Sequence, residues 1–124
     1  MSSNSIPSWA RRLVQTRDRF RCIRCGGAGS NWHHRRSKSV HDDHRHCPCN
    51  GIMLCGSGTT GCHHWAHNHP LMARMANSGL IVSRHVTEPF MVPVMSVVHG
   101  GMILLDCEGG WVALDERTME GSVQ

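Results

Sequence analysis

Residues 55–67 read CGSGTTGCHHWAH and combine two kinds of metal donor in one short segment. Cys55 and Cys62 enclose a loop of glycine, serine and threonine, and three histidines follow directly after it. Thiolates in pairs are typical of closed structural zinc sites, whereas histidine groups are typical of sites that keep a coordination position open for chemistry. The segment therefore predicts two separate metal sites.

The predicted structural zinc site takes its other two thiolates from an upstream pair. Cys22 and Cys25 are separated by two residues, the usual spacing for a zinc-binding turn. Cys55 and Cys62 are separated by six residues instead of the usual two to four, but the glycines between them allow the loop to bulge outward. We expect these four cysteines to bind one zinc ion.

Three of the seven cysteines lie outside this set. Cys47 and Cys49 are alternative candidates, because either could take the place of one of the four zinc ligands. They could also bind no metal. Cys107 is interpreted as a lone residue in a hairpin. A disulfide framework of a secreted protein is the remaining alternative, and the odd cysteine count and interleaved histidines argue against it.

The length of the chain and its hydropathy favour a single domain with a small hydrophobic core. A bound metal would therefore contribute to the stability of the fold. No segment approaches the roughly 18 consecutive apolar residues that a membrane span needs, and the first residues lack the apolar core of a signal peptide. We therefore expect a cytoplasmic protein without a membrane partner.

Charge is distributed unevenly along the chain. Residues 1–46 contain ten Lys/Arg against three Asp/Glu, and residues 47–124 contain three against six. Twelve of the thirteen cations are arginine, whose planar guanidinium matches phosphate oxygens. The basic half is where a polyanion would bind, although a solvated basic surface is the simpler alternative.

Periodicity and turn residues predict short elements in the first two thirds of the chain. Ser8–Phe20 has the pattern of an amphipathic helix, with Ser8 as N-cap and with Trp9, Leu13 and Val14 on one face. The remaining predictions are a strand at Asn31–Arg36, a loop at Val40–Cys49, a strand at Ile52–Leu54, a helix from about Thr60, and a second helix at Pro70–Asn77 ended by Gly79.

The last third of the chain is apolar and β-prone. Leu80–Val82, Val92–Val94 and Met102–Leu105 predict strands, and Cys107–Gly110 predicts a hairpin turn before Trp111–Leu114. We expect a small antiparallel sheet there.

Helix and strand geometry limit which histidines can share an ion. His63 and His67 are four residues apart, so on a helix they lie on one face. His33 can approach from the strand. Adjacent strand residues point to opposite sides, so His33 and His34 cannot easily bind one ion together, and one of them is left for other work. His64 with His67, three residues apart, is a second possible pair.

These residues resemble the HNH endonucleases of the ββα-metal, or His-Me finger, fold, particularly the zinc-stapled bacteriophage members. The resemblance covers about residues 17–70: a histidine pair on the first strand, Asn50 five residues before Cys55, and His63 directly after the last zinc cysteine. It implies an α+β fold, namely a ββα-metal HNH nuclease core with a structural four-cysteine zinc site, here followed by a β-rich C-terminal extension.

The resemblance also implies an activity, hydrolysis of DNA phosphodiester bonds. His34 would be the general base, Asn50 would hold the loop and orient His34, and one catalytic divalent ion (Zn, Ni, Co, Mn or Mg) would be held by His33, His63 and His67. We expect weak sequence specificity and nicking. The expected DNA contacts are Arg35, Arg36 and Lys38, extended by Arg11, Arg12, Arg17, Arg19 and Arg21.

The implied organisation is a basic N-terminal helix at residues 1–20, the nuclease core at 21–78, and the extension at 79–124. Small phage members of the family often act with the genome-packaging terminase, which makes terminase a candidate partner in a host bacterial cytoplasm. The alternative function is a zinc-stapled module that binds DNA or protein without catalysis.

Other conspicuous side chains have simpler interpretations. Trp32 and Trp65 are expected to be core aromatics. Solvent exposure is expected for His41, His44, His46, His69, His85 and His99, and gap-filling core or interface positions for Met72, Met75, Met91, Met95 and Met102.

Overall fold

The computed structural model describes residues 5–114, which form a small α+β structure with few helices and two small sheets. Within this range the helices are α1 (Ser8–Arg17), α2 (Gly61–Asn68) and α3 (Pro70–Ala73), with 3₁₀ helices at Pro48–Asn50 and Pro89–Met91. The strands are β1 (Asn31–His34), β2 (Gly51–Leu54), β3 (Val94–Ser96), β4 (Gly101–Leu105) and β5 (Trp111–Ala113).

The first sheet is an antiparallel pair of β1 and β2. Its register places His33 opposite Ile52 and His34 opposite Gly51. Every residue of β2 is buried, which fits its apolar sequence, and Gly51 is required because a side chain there would collide with the Trp32 ring. α2 follows β2 after the cysteine-flanked loop.

The second sheet is the antiparallel sheet expected in the last third of the chain, with strand order β3-β4-β5 and a turn at residues 106–110. Asp106 caps this turn by accepting hydrogen bonds from the backbone N–H groups of Glu108 and Gly110. Leu80–Val82 is not a strand of this sheet. Val82 instead forms an isolated parallel bridge with Arg36, after the end of β1.

α1 begins at Ser8, as expected, but Pro7 is its N-cap and the helix ends at Arg17. Arg19 and Phe20, which come directly after Asp18, both have φ of 58°. This left-handed conformation cannot continue the helix. Ala10 and Val14 are buried, whereas Trp9 and Leu13 are exposed, so the buried face is narrower than the predicted one.

One apolar core connects the two sheets. Ile23, Ile52 and Leu54 pack in the same cluster as Leu80, Val94, Ile103 and Leu105. The segment after residue 79 is therefore packed against the preceding elements through shared core side chains. Of the expected core aromatics, Trp32 is buried and Trp65 is partly buried. Among the methionines expected at core or interface positions, Met72, Met75, Met91 and Met95 are exposed, which excludes the core for these four.

Within residues 5–114, no helix has both the length and the apolar character that crossing a membrane would require.

Candidate functional site

Three histidines from β1 and α2 converge on one point. His63 and His67 lie one turn apart on α2, and their Nε2 atoms are 3.2 Å apart. His33, on β1, completes the group, and the donor atoms of all three lie within 4.8 Å of one another. Two nitrogens bound to one tetrahedral zinc at about 2.1 Å would be about 3.4 Å apart. The group can therefore hold a metal ion such as zinc.

Burial favours the neutral imidazole, the form that binds metal, at His33 and His67. Burial lowers the pKa of His33 to about 3, and Nε2 of His33 is 2.9 Å from the carbonyl oxygen of Leu80. If that nitrogen donates its proton to the carbonyl, the lone pair is on Nδ1. Burial also lowers the pKa of His67. Nδ1 of His63 is buried and finds no hydrogen-bond partner among residues 5–114.

His64 takes no part in this group. Its Nδ1 is 3.0 Å from the carbonyl oxygen of Gly58, and its ring also contacts Asn68. The ring is therefore held against the cysteine-flanked loop, and the geometry favours His63 with His67 over His64 with His67.

His34 lies beside the group but has a different partner. Its Nε2 atom is 3.1 Å from Nδ1 of His46, and its ring meets Trp32 edge-on at 4.8 Å. Burial lowers the pKa of His34 to about 4, and the positive charges of Lys38 and Arg45 act in the same direction. A neutral His34 at pH 7 can accept a proton.

All four histidines line one cleft of about 800 Å³. The described residues that line this cleft include no Asp or Glu, whereas they include, besides the buried Arg35, four cations: Arg11, Lys38, Arg74 and Arg84. A cleft with cations and without carboxylates attracts anions such as phosphate. Arg74 and Arg84 were not among the residues expected from the sequence, because they lie outside the basic half of the chain.

Asn50 is fully buried and closes the loop that follows β1. Its Oδ1 accepts a hydrogen bond of 2.7 Å from the backbone N–H of Arg36, and its Nδ2 donates to the carbonyl oxygens of Arg36 and Arg45. Among the hydrogen bonds described for residues 5–114, none joins Asn50 to His34. The Asn50 side chain therefore holds the backbone of this loop together and makes no direct contact of this kind with His34.

Three arginines expected to contact DNA are buried and have other partners. The Arg35 guanidinium donates to five carbonyl oxygens, those of Cys49, Gly79, Pro89, Val92 and Pro93. Arg36 binds Asp42 and the carbonyl oxygen of Val86. Arg17 binds Asp18 and the carbonyl oxygens of Pro48 and Gly51.

Arg17, Arg35 and Arg36 are at most 6% exposed, so this packing does not favour the DNA contacts predicted for them. They bind loop carbonyls and carboxylates, which satisfies the polar groups that packing buries. Arg12, Arg19 and Arg21 are exposed but are not among the residues lining the cleft. Lys38 and Arg11 do line the cleft.

The four cysteines expected to bind zinc come together. The sulfurs of Cys22, Cys25, Cys55 and Cys62 lie within 4.8 Å of one another, and the Cys25 and Cys55 sulfurs are 3.7 Å apart. These four thiols can hold a metal ion such as zinc.

Backbone amides support these sulfurs. The N–H of Gly27 donates to the Cys25 sulfur, and the N–H of Cys62 donates to the Cys55 sulfur. The Gly27 contact lowers the pKa of Cys25. Gly56 and Gly61 have φ of 87° and 69° and approach each other closely, so residues 57–60 bulge into solvent without disturbing the cluster.

A second thiol cluster was not expected. His44, Cys47, Cys49 and Cys107 also place their donor atoms within 4.8 Å of one another. Cys107 is therefore not a lone residue, His44 is not only a surface side chain, and neither Cys47 nor Cys49 replaces a ligand of the first cluster. The local pattern His-x-x-Cys-x-Cys could have indicated three of the four donors.

Two further histidines expected to be simply exposed have defined partners. His46 contacts His34, as described above, and His99 is hydrogen-bonded to Ser96 and to the carbonyl oxygen of Arg17. Both are only partly exposed. His41, His69 and His85 are exposed, as expected.

Comparisons with protein-family models, curated proteins and solved structures gave no match to this chain.

Proposed function

We propose that this protein is a metal-dependent DNA endonuclease of the HNH type, built on a ββα-metal core. The observation that carries the proposal is the cleft, in which the His33/His63/His67 group, the separate neutral His34 and four cations face one volume of about 800 Å³. The element order supports it, because two antiparallel strands are followed by the helix that supplies two of the histidines.

The ligand group suits a divalent cation. Three imidazole ligands leave coordination positions open, as catalytic metal sites do. When bound there, a divalent ion would supply charge stabilisation for the phosphoryl oxygens and for the leaving 3′ oxygen. Its identity among Zn, Ni, Co, Mn and Mg follows from availability, with imidazole donors favouring the first four over magnesium.

His34 is the proposed general base. With its Nε2–H donating to Nδ1 of His46, 3.1 Å away, its Nδ1 carries the lone pair. This lone pair can remove a proton from the water that attacks phosphorus. His46 would hold the ring in this orientation, and Asn50 would hold the loop that carries His46 by joining Arg36 to Arg45.

The cations of the cleft are the proposed phosphate contacts. Arg11, Lys38, Arg74 and Arg84 all line the cleft, where they can contact the phosphates of a bound DNA backbone. Contacts to phosphates carry no sequence information. We therefore propose weak specificity with nicking, and keep association with a phage terminase as a proposal that rests on the family resemblance alone.

The test is cleavage of supercoiled plasmid by the purified chain against a panel of divalent ions and EDTA. We expect metal-dependent nicking that falls about 10²- to 10⁴-fold in His34→Ala, the typical contribution of a general base. His64→Ala is the matched control, since His64 lies on α2 but faces Gly58.

Absence of cleavage by folded wild type with every ion would refute the nuclease. If the same protein still bound DNA, the alternative function, a DNA-binding module without catalysis, would be the better explanation.

A further inference from the structure

The second thiol cluster joins two parts of the chain that are far apart in sequence. His44, Cys47 and Cys49 belong to the loop that follows β1, and Cys107 lies in the turn between β4 and β5. The Cys49 sulfur is 3.4 Å from the Cys47 sulfur and 3.8 Å from the Cys107 sulfur. Nδ1 of His44 is 3.8 Å from the sulfurs of both Cys49 and Cys107.

These separations are those of a tetrahedral zinc site. Ligands bound at about 2.3 Å for sulfur and 2.0 to 2.1 Å for nitrogen lie about 3.5 to 3.8 Å apart at tetrahedral angles. A disulfide would need about 2.05 Å between two sulfurs, and all seven cysteines are free. The measured spacing therefore matches shared coordination and not a covalent bond.

We propose that His44, Cys47, Cys49 and Cys107 bind a second structural zinc ion. Three thiolates and one imidazole are a common structural zinc set, and four protein ligands leave no position open for a substrate. The ring of Phe90 packs against the His44 ring, with the ring centres 5.5 Å apart. Together the two clusters use every cysteine of the chain, four in one and three in the other.

The second zinc gives the C-terminal sheet a defined role. It would tie the β4–β5 turn to the loop that also carries His46, the partner of His34, and Cys49 is followed directly by Asn50, which closes that loop. The proposal does not depend on the nuclease activity, because a closed zinc site would serve a binding module equally well.

Native mass spectrometry of the full chain, expressed with zinc, tests the proposal. The measurement is made in a His67→Ala background, so that an ion at the histidine group does not enter the count. We expect two zinc ions per chain. Cys107→Ser and His44→Ala should each reduce the count to one, whereas the exposed neighbours Glu108→Ser and His41→Ala should retain two.

The cysteines provide a readout that does not depend on a variant folding. In the native wild-type chain we expect all seven thiols to resist alkylation until a strong chelator removes zinc, as judged by peptide mapping. One zinc per chain with Cys47, Cys49 and Cys107 alkylated, or a disulfide among these three, would overturn the proposal. Two zinc ions retained in both Cys107→Ser and His44→Ala would overturn it as well.

Discussion

In the thiol clusters and in the histidine group, the metal donor atoms lie at similar distances from one another, but the surroundings of these sites differ. Each thiol cluster has four donors, includes buried cysteines and joins separate segments of chain. The histidine group has three donors and opens into a cleft lined by cations. Donor number and access to solvent, more than donor proximity, separate a site that supports folding from a site suited to chemistry.

The strongest test of this contrast is Cys22→Ser. Cys22 is fully buried, and structural zinc in small zinc-finger peptides contributes about 10–16 kcal/mol at neutral pH, comparable to or larger than the whole stability of a small domain. We expect loss of zinc and of a cooperative thermal transition, measured by circular dichroism and metal analysis. His67→Ala should melt as the wild type does. A Cys22→Ser chain with an unchanged melting temperature would contradict the structural role.

A smaller effect, on activity alone, is expected for His63→Ala. Removing one of three ligands should weaken the binding of the proposed catalytic ion and lower the nicking rate by about 10²-fold or more. This loss corresponds to about 3 kcal/mol in activation free energy. Initial rates across a series of metal concentrations measure this, and excess metal should restore part of the activity. Equal losses in His63→Ala and His64→Ala would show that the group does not act as a ligand set.

A contrast among the arginines gives the third prediction. Arg35 is 1% exposed and donates to five carbonyl oxygens, so Arg35→Met leaves buried acceptors without donors. We expect a loss of about 3 kcal/mol in the free energy of unfolding, from the urea midpoint. The exposed Arg19→Gln should change it by about 0.5 kcal/mol or less. Equal midpoints, with weaker DNA binding only in Arg35→Met, would return Arg35 to the DNA surface.

The smallest effect is expected at the rim of the cleft. Arg84→Gln removes one proposed phosphate contact, so the slope of log affinity against log salt should fall by about 0.9, with an unchanged melting temperature. Fluorescence anisotropy with a DNA duplex at several salt concentrations measures the slope. Arg21→Gln, exposed but away from the cleft, is the control. The same slope change in both variants would mean that the cleft is not where DNA binds.

Charge patterning was a poor guide to individual arginines. Arg35, Arg36 and Lys38 follow the same strand within four positions, yet the first two are buried and only Lys38 is exposed. Local sequence does not encode this difference, because it depends on the carbonyl groups of residues 79–93 that pack over the end of β1. Arg84, which belongs to the same segment, lines the cleft.

The sequence by itself determined the donors whose partners are close along the chain. A helix places His63 and His67 on one face, a two-residue spacing turns Cys22 and Cys25 toward one point, and an apolar run predicts β2. Short spacings along the chain predict which donors meet because the backbone can adopt few conformations over a few residues.

Only the tertiary structure decided the long-range pairings: Cys107 with Cys47 and Cys49, His46 with His34, and Arg35 with the carbonyls that surround it. Cys107 is 58 residues from Cys49, and the backbone between them allows many arrangements. The packing of the shared core selects one of these arrangements, through many small contacts that no local motif contains.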